Sequence, residues 1–201
     1  MISITFPDGN KKEFNKGISP LEIAQSISEG LARAVVCAKF NETIIDATTS
    51  LQDSGFLQLL TTKDKEGLEV FRHSSAHLLA HAVQNLYPQA KPTIGPVVEQ
   101  GFYYDFDDLS ISLEDLEKIE TEMKRLVKEG GSFEKIIYSS KESAKEAFND
   151  NSYKLELIDE LTQTPTAYKS GDFIDLCRGP HIVDLKQIKA IKLTKLAGAY
   201  W

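Results

Sequence analysis

The chain has 201 residues, a formal net charge of −7 and 41% hydrophobic residues, the balance of an ordinary globular protein with ample material for a core. The acidic balance argues against holding nucleic acid by bulk electrostatics, so any such contact has to be local. No apolar run reaches the length of a membrane span, and the N-terminus lacks a signal-peptide pattern. Two distant cysteines, Cys37 and Cys177, exclude a disulfide framework, and a cytoplasmic protein is expected.

In chain order, ISITFPDGNKKEF reads as strand, Pro-Asp-Gly turn and strand. Ser19-Pro20-Leu21-Glu22 opens a helix with a capping box and proline at its first position, and this helix is expected to stop near Gly30. ARAVVCAKF, TIID and FLQLL read as strands, with a tight turn at Asn41-Glu42. One helix laid on such a sheet is a β-grasp pattern. The run Lys63 to Gly67 reads as a charged break, which divides the chain into modules 1–62 and 63–201.

The second module begins with a helix over Phe71 to Tyr87, stopped by Pro88. Gly95-Pro96 and Gly101 then punctuate extended segments in which Phe102, Tyr104 and Phe106 share a face. Ser112 to Glu129 is an amphipathic helix with Leu113, Leu116, Ile119, Met123 and Leu126 inward, ended by Gly130-Gly131. FEKIIY reads as a strand and Ser139-Ser140-Lys141-Glu142 as the opening of a helix that runs to about Phe148, whereas Tyr153 to Ile158 fits helix or strand equally. Phe173 to Cys177 reads as a strand with Asp175 and Cys177 on one face. Lysines recur at 186, 189, 192 and 195, either a solvated face or a local phosphate-binding strip. The fold class is α+β: a ubiquitin-like β-grasp followed by a larger α+β domain.

Three of the four histidines stand on the helix at His73, His77 and His81, each about 40° round the barrel from the last. The row borders an apolar stripe, so an ordinary packing role competes with a functional one, and His81 reads as its structural member. His181 lies downstream in Cys177-Arg178-Gly179-Pro180-His181. H-x-x-x-H on a helix and C-x-x-x-H in a turn can converge on one pocket. No P-loop, dinucleotide fingerprint, G-x-S-x-G or H-E-x-x-H occurs.

The segments RHSSAHLLAHAV, IGPVVEQGFYYDF, DLCRGPHI and KLAGAYW, in this order, resemble the N-terminal half of bacterial-type threonyl-tRNA synthetases. The resemblance implies a TGS β-grasp over 1–62 and a tRNA-editing domain over 63–201. It also implies that an ATP-dependent ligase domain, with its ATP, magnesium and zinc, follows in the full protein and mediates a homodimer. No cofactor is then expected in the residues at hand. The implied partner is threonine tRNA carrying serine, without a membrane. The implied reaction is hydrolysis of that mischarged ester, because a single methyl lets a pocket discriminate by only about 1–3 kcal/mol, roughly 10–200-fold.

By the same resemblance, His73, His77, Lys154, Cys177 and His181 belong to the editing pocket, with Tyr104 and Asp175 holding the seryl group. His73 and Lys154 would activate water or stabilise developing charge. His77, Cys177 and His181 would shape the pocket and seat the terminal adenosine. The stretch Ala167 to Asp172, AYKSGD, departs from the family pattern and reads as a variable loop. Two other readings stay open: a zinc hydrolase using His73, His77, Cys177 and His181, and a non-catalytic RNA-binding module on the β-grasp.

Overall fold

The computed structural model describes residues 1–199; Tyr200 and Trp201, which end the KLAGAYW segment, lie outside the described residues. The first 60 residues follow the expected order: β1 (Ile2–Thr5), β2 (Lys11–Phe14), α1 (Pro20–Ile27), α2 (Glu29–Ala34), β3 (Cys37–Phe40), β4 (Thr43–Asp46) and β5 (Gly55–Leu60). The sheet order is β2-β1-β5-β3-β4, with β1 and β5 parallel and the other pairs antiparallel. Ile2, Ile4, Ala38 and Leu57 face Ile23 of α1 across a closed core. This is the β-grasp that the pattern implied.

One local expectation changes and another holds. Helix α1 stops before Gly30 because Ser28 caps a second short helix through the Leu31 N–H, so residues 32–34 are helical rather than extended. Asn41 and Glu42 both adopt positive φ, 44° and 69°, as a tight hairpin turn demands.

The charged break is the start of a helix. α3 runs from Lys65 to Leu86, six residues longer at its N-terminus than its apolar stripe suggests. Asp64 turns its carboxylate back to the Thr61 N–H and hydroxyl, closing the chain tightly before the helix. Gly67 sits within the first turns because a Cβ there would lie 2.0 Å from the Thr61 carbonyl oxygen. Consequently the two modules share one core, in which Val36, just before β3, Cys37 of β3 and Leu60 of β5 pack with Val70, Leu78 and Leu79 of α3.

Beyond α3 come four two-residue strands: β6 (Lys91–Pro92), β7 (Val97–Val98), β8 (Gly101–Phe102) and β9 (Phe106–Asp107). β6 pairs with β9, and β7 with β8. Phe102, Tyr104 and Phe106 all reach the same core although no continuous strand joins them. α4 (Asp115–Glu129) buries Ile119, Met123 and Leu126 against α3; Leu113 lies before the helix and is exposed. β10 (Glu134–Ile137), β11 (Thr166–Ser170) and β12 (Phe173–Leu176) form an antiparallel sheet in the order β10-β11-β12. α5 (Lys141–Ala147) and α6 (Ser152–Glu160) lie between β10 and β11. The AYKSGD stretch is thus mostly the central strand of this sheet rather than a loop. No helix of the described residues is long and apolar enough to cross a membrane.

Candidate active site

Four backbone segments converge on one cavity of about 460 Å³. α3 supplies His73 and His77, the 93–104 segment supplies Thr93 and Tyr104, α6 supplies Lys154, and β12 with its following turn supplies Asp175 and Cys177. His181, at the end of that turn, stacks on His73 with ring centroids 4.6 Å apart and stands edge-on to His77. All seven residues singled out in the sequence therefore meet here. His81 does not: it stacks on Phe173, two turns along α3 from His73 and away from the cavity lining.

Lys154 reaches the cavity because α6 is fastened at its first turn. The Asn151 side chain caps the helix by accepting the Lys154 N–H, while its amide donates to the Pro92 carbonyl. The ammonium then makes three contacts: the Thr93 carbonyl at 2.7 Å, the Asp175 carboxylate at 2.6 Å and the Tyr104 hydroxyl oxygen at 3.2 Å. These match its three protons. The Tyr104 hydroxyl donates to the other oxygen of Asp175. Both Lys154 and Asp175 are buried. Burial pushes the Asp175 carboxyl up, but the Lys154 ammonium and its hydrogen bonds outweigh this and hold it below the usual carboxylate range. The pair is a charged, fully bonded wall.

The imidazoles behave differently. Burial lowers the pKa of His73, opposed in part by Asp175. Burial takes His77 down to about 3 and His181 well below its ordinary value, with the neighbouring rings adding to the effect on both. Burial also pushes the Cys177 thiol up to about 12 despite the Gly179 N–H that points at its sulfur. At neutral pH the site therefore holds neutral imidazoles and a neutral thiol beside one ion pair.

One proton arrangement fits the cluster. The Ser74 hydroxyl donates to the Val70 carbonyl one turn back, and the Ile182 N–H donates to it. Its contact with His181 Nδ1, at 2.8 Å, then has the ring as donor. His181 Nε2 is left as the acceptor for the Cys177 S–H at 3.4 Å. His73 Nε2, 2.8 Å from the same sulfur, becomes a donor to it. His73 Nδ1 keeps the lone pair, and of the four histidines only His73, which lines the cavity, is not fully buried.

Comparison with known proteins agrees with this architecture. A family model described as the TGS domain matches residues 2–61, and one described as the threonyl and alanyl tRNA synthetase second additional domain matches residues 166–198. Threonine–tRNA ligases of Staphylococcus aureus strains JH9 and Newman are 49% identical over 203 residues, covering 100% of this chain. The chain matches the N-terminal region of threonine–tRNA ligases. It spans 31% of the length of the curated relatives it matches. The second family model takes in Asp175, Cys177 and His181, and α3 with His73 and His77 lies outside it.

Around this cavity, several residues that build the site were not evident in the sequence. Ser74 was hidden as one more small residue of a helix. Asn151 carried a readable signal, a cap three residues before Lys154. Phe133, stacked on His181 at 4.4 Å, and Thr93 carried none.

His73, Cys177 and His181 place one ligand atom each within 4.8 Å of one another and could hold a metal ion. His77 does not join them: its Nε2 is buried without a partner among the described residues, and its ring is edge-on to Phe133 and Phe173. The donor set suits zinc. The separations along the set are 2.8 Å from His73 Nε2 to the Cys177 sulfur and 3.4 Å from that sulfur to His181 Nε2, to be compared with about 3.6 Å between two tetrahedral zinc ligands of this kind.

Proposed function

We propose that residues 63–201 form an editing domain that hydrolyses the ester of serine mischarged to threonine tRNA, and that this chain's TGS module occupies 1–62. The observation that carries the reading is the joining, at one cavity, of a mostly buried, neutral His73 with the buried Lys154–Asp175 pair and Tyr104 bonded to it, in a chain similar throughout to threonine–tRNA ligases.

An aminoacyl ester needs a positioned water, a base active near neutral pH and help for the developing oxyanion. His73 Nδ1 is the base in this reading. The Lys154 ammonium lies in the cavity lining as the fixed positive charge, and it is no base while paired with Asp175. Asp175 adds a carboxylate suited to a substrate ammonium. His77, Cys177 and His181 hold the His73 ring and shape the floor.

Selection of serine over threonine must come from repulsion, since both carry the hydroxyl. Tyr104 is bound at its hydroxyl by Asp175 and Lys154 and cannot swing aside without breaking both contacts. Forcing a methyl into such a rigid wall costs about 1–3 kcal/mol, enough to favour seryl ester roughly 10–200-fold.

A second reading is supported by the triad His73, Cys177 and His181. A zinc ion held there would polarise the ester carbonyl or acidify a bound water. We favour hydrolysis by the protein groups themselves, because His73 and the Lys154–Asp175–Tyr104 wall already offer a base and a fixed positive charge at one cavity. The test is to incubate the chain with seryl- and threonyl-charged threonine tRNA and follow ester loss before and after exhaustive chelation. Loss of the seryl ester alone, unaffected by chelator, is expected. Activity abolished by chelation and restored by zinc would establish the second reading; no ester loss at all would leave a tRNA-binding role.

A further inference from the structure

The turn from Cys177 to His181 carries two members of the site, and its ends are held from different parts of the molecule. At its start, the Cys177 N–H donates to the Thr166 carbonyl, and the Thr166 hydroxyl donates back to the Cys177 carbonyl at 2.6 Å. Both contacts lie within the 166–177 hairpin. At its end, the His181 N–H donates to Oδ1 of Asp46 at 2.9 Å. Asp46 is the last residue of β4, in the TGS module.

The other oxygen of the same carboxylate accepts the Tyr168 hydroxyl at 2.6 Å. Tyr168 is among the largest fully buried side chains, and its ring stands edge-on to His181 at 4.6 Å. The hydroxyl passes to Asp46 beside Gly179, whose φ is +69° and where a Cβ would lie 2.2 Å from the Tyr168 oxygen. A side chain at position 179 would therefore be both strained and blocked. Each oxygen of Asp46 thus ties one component of the His181 environment, the backbone of the turn and the ring beneath it, to the first module. Asp46 itself does not line the cavity.

We propose that Asp46 is a positioning residue for ester hydrolysis: the TGS module completes the editing site by fixing the His181 turn, and through it the His73 ring. The consequence for catalysis rests on the editing reading above; the clamp itself stands on the hydrogen bonds. Loss of the carboxylate leaves the buried His181 N–H and Tyr168 hydroxyl without their acceptor. The turn then drifts on the scale of an ångström, a displacement that can lower turnover about 100-fold without touching substrate.

The test uses the full chain. Asp46→Ala is expected to lower kcat for seryl-tRNA hydrolysis at least about tenfold while KM stays within about twofold. Asp46→Asn keeps an acceptor for the His181 N–H and should recover most of that loss. Tyr168→Phe removes one of the two bonds and should fall between them. A nitrogen-15 NMR reading of the His181 imidazole and amide runs alongside, and shifts in both are expected for Asp46→Ala. If the parent chain cleaves no ester, the editing reading has failed, and the NMR shifts still decide whether the clamp exists. If the parent is active and a folded Asp46→Ala keeps its kcat, or loses only KM, the positioning role is overturned. Should Asp46→Ala not fold, Tyr168→Phe decides by the same criteria.

Discussion

Lys154→Met exposes how the buried ion pair is balanced. At 2.6 Å, with an effective dielectric constant near 20, the attraction is about 6 kcal/mol, and desolvation of the two ions opposes it by several kcal/mol each. The intact pair is close to break-even; the broken pair is not. Methionine keeps the length and apolar stem of lysine but removes the charge. Asp175 is then left buried with the Tyr104 hydroxyl as its remaining bonded partner. The expected loss is about 3–5 kcal/mol, a large share of a domain's stability, read by urea denaturation at pH 7.

The sign with pH separates this cause from a packing defect. In the parent, the Asp175 pKa is lowered on folding, so its contribution is complete above the unfolded value of about 3.9 and is lost as pH falls through the lowered folded value. In the variant burial acts without the ammonium, the folded pKa lies above the unfolded one, and the penalty fades as pH falls. The stability gap between parent and variant should therefore shrink steadily from pH 7 to pH 4. A second change, Asp175→Leu, should restore part of the loss. A gap constant over that range, or a double variant no more stable than the single one, would refute the reasoning.

Tyr104→Ala should open the wall, so that threonyl ester is cleaved within about tenfold of seryl ester, the gap the methyl contact supplies; hydrolysis of the two charged tRNAs measures it. The acid limb of seryl hydrolysis should have its midpoint below the usual histidine value of about 6.5, because burial lowers His73; a pH–rate profile with a midpoint above that value counts against His73 as base. His77, held at about 3 on folding, gives stability that is full above about pH 6.5 and lost as pH falls, at up to about 1.4 kcal/mol per unit; His77→Phe should flatten that slope in denaturation curves. Gly67→Ala, which in an open helix would stabilise, should lower the melting temperature here, since its Cβ would overlap the Thr61 carbonyl oxygen.

Much of the first module was legible because its signals are local. Ser19, Pro20 and Glu22 make the capping box they spell, and the alternation of the strands fixes their faces. The start of α3 was not legible, because Gly67 and the flanking charges mimic a linker and only the approach of Thr61 explains the glycine. In the site, the histidine spacing and the Cys177–His181 turn could be seen to converge. The position of Lys154 came only through family resemblance, and the Asn151 cap that orients it is a tertiary fastening as well as a local one. Asp46 and Tyr168 carried no sequence signal at all. Their partnership spans 122 positions, and AYKSGD read as a loop because its polar residues obscure a strand whose buried faces are Ala167, Tyr168 and Ser170.

The most direct measurement is single-turnover deacylation of seryl-charged threonine tRNA by the parent chain and by His73→Ala, with circular dichroism of both. General-base catalysis contributes about 10²–10⁴-fold, so the variant should lose at least about 100-fold in rate while its spectrum is unchanged. A folded His73→Ala that cleaves the seryl ester at the parent rate would contradict the assignment of this cavity as the hydrolytic site.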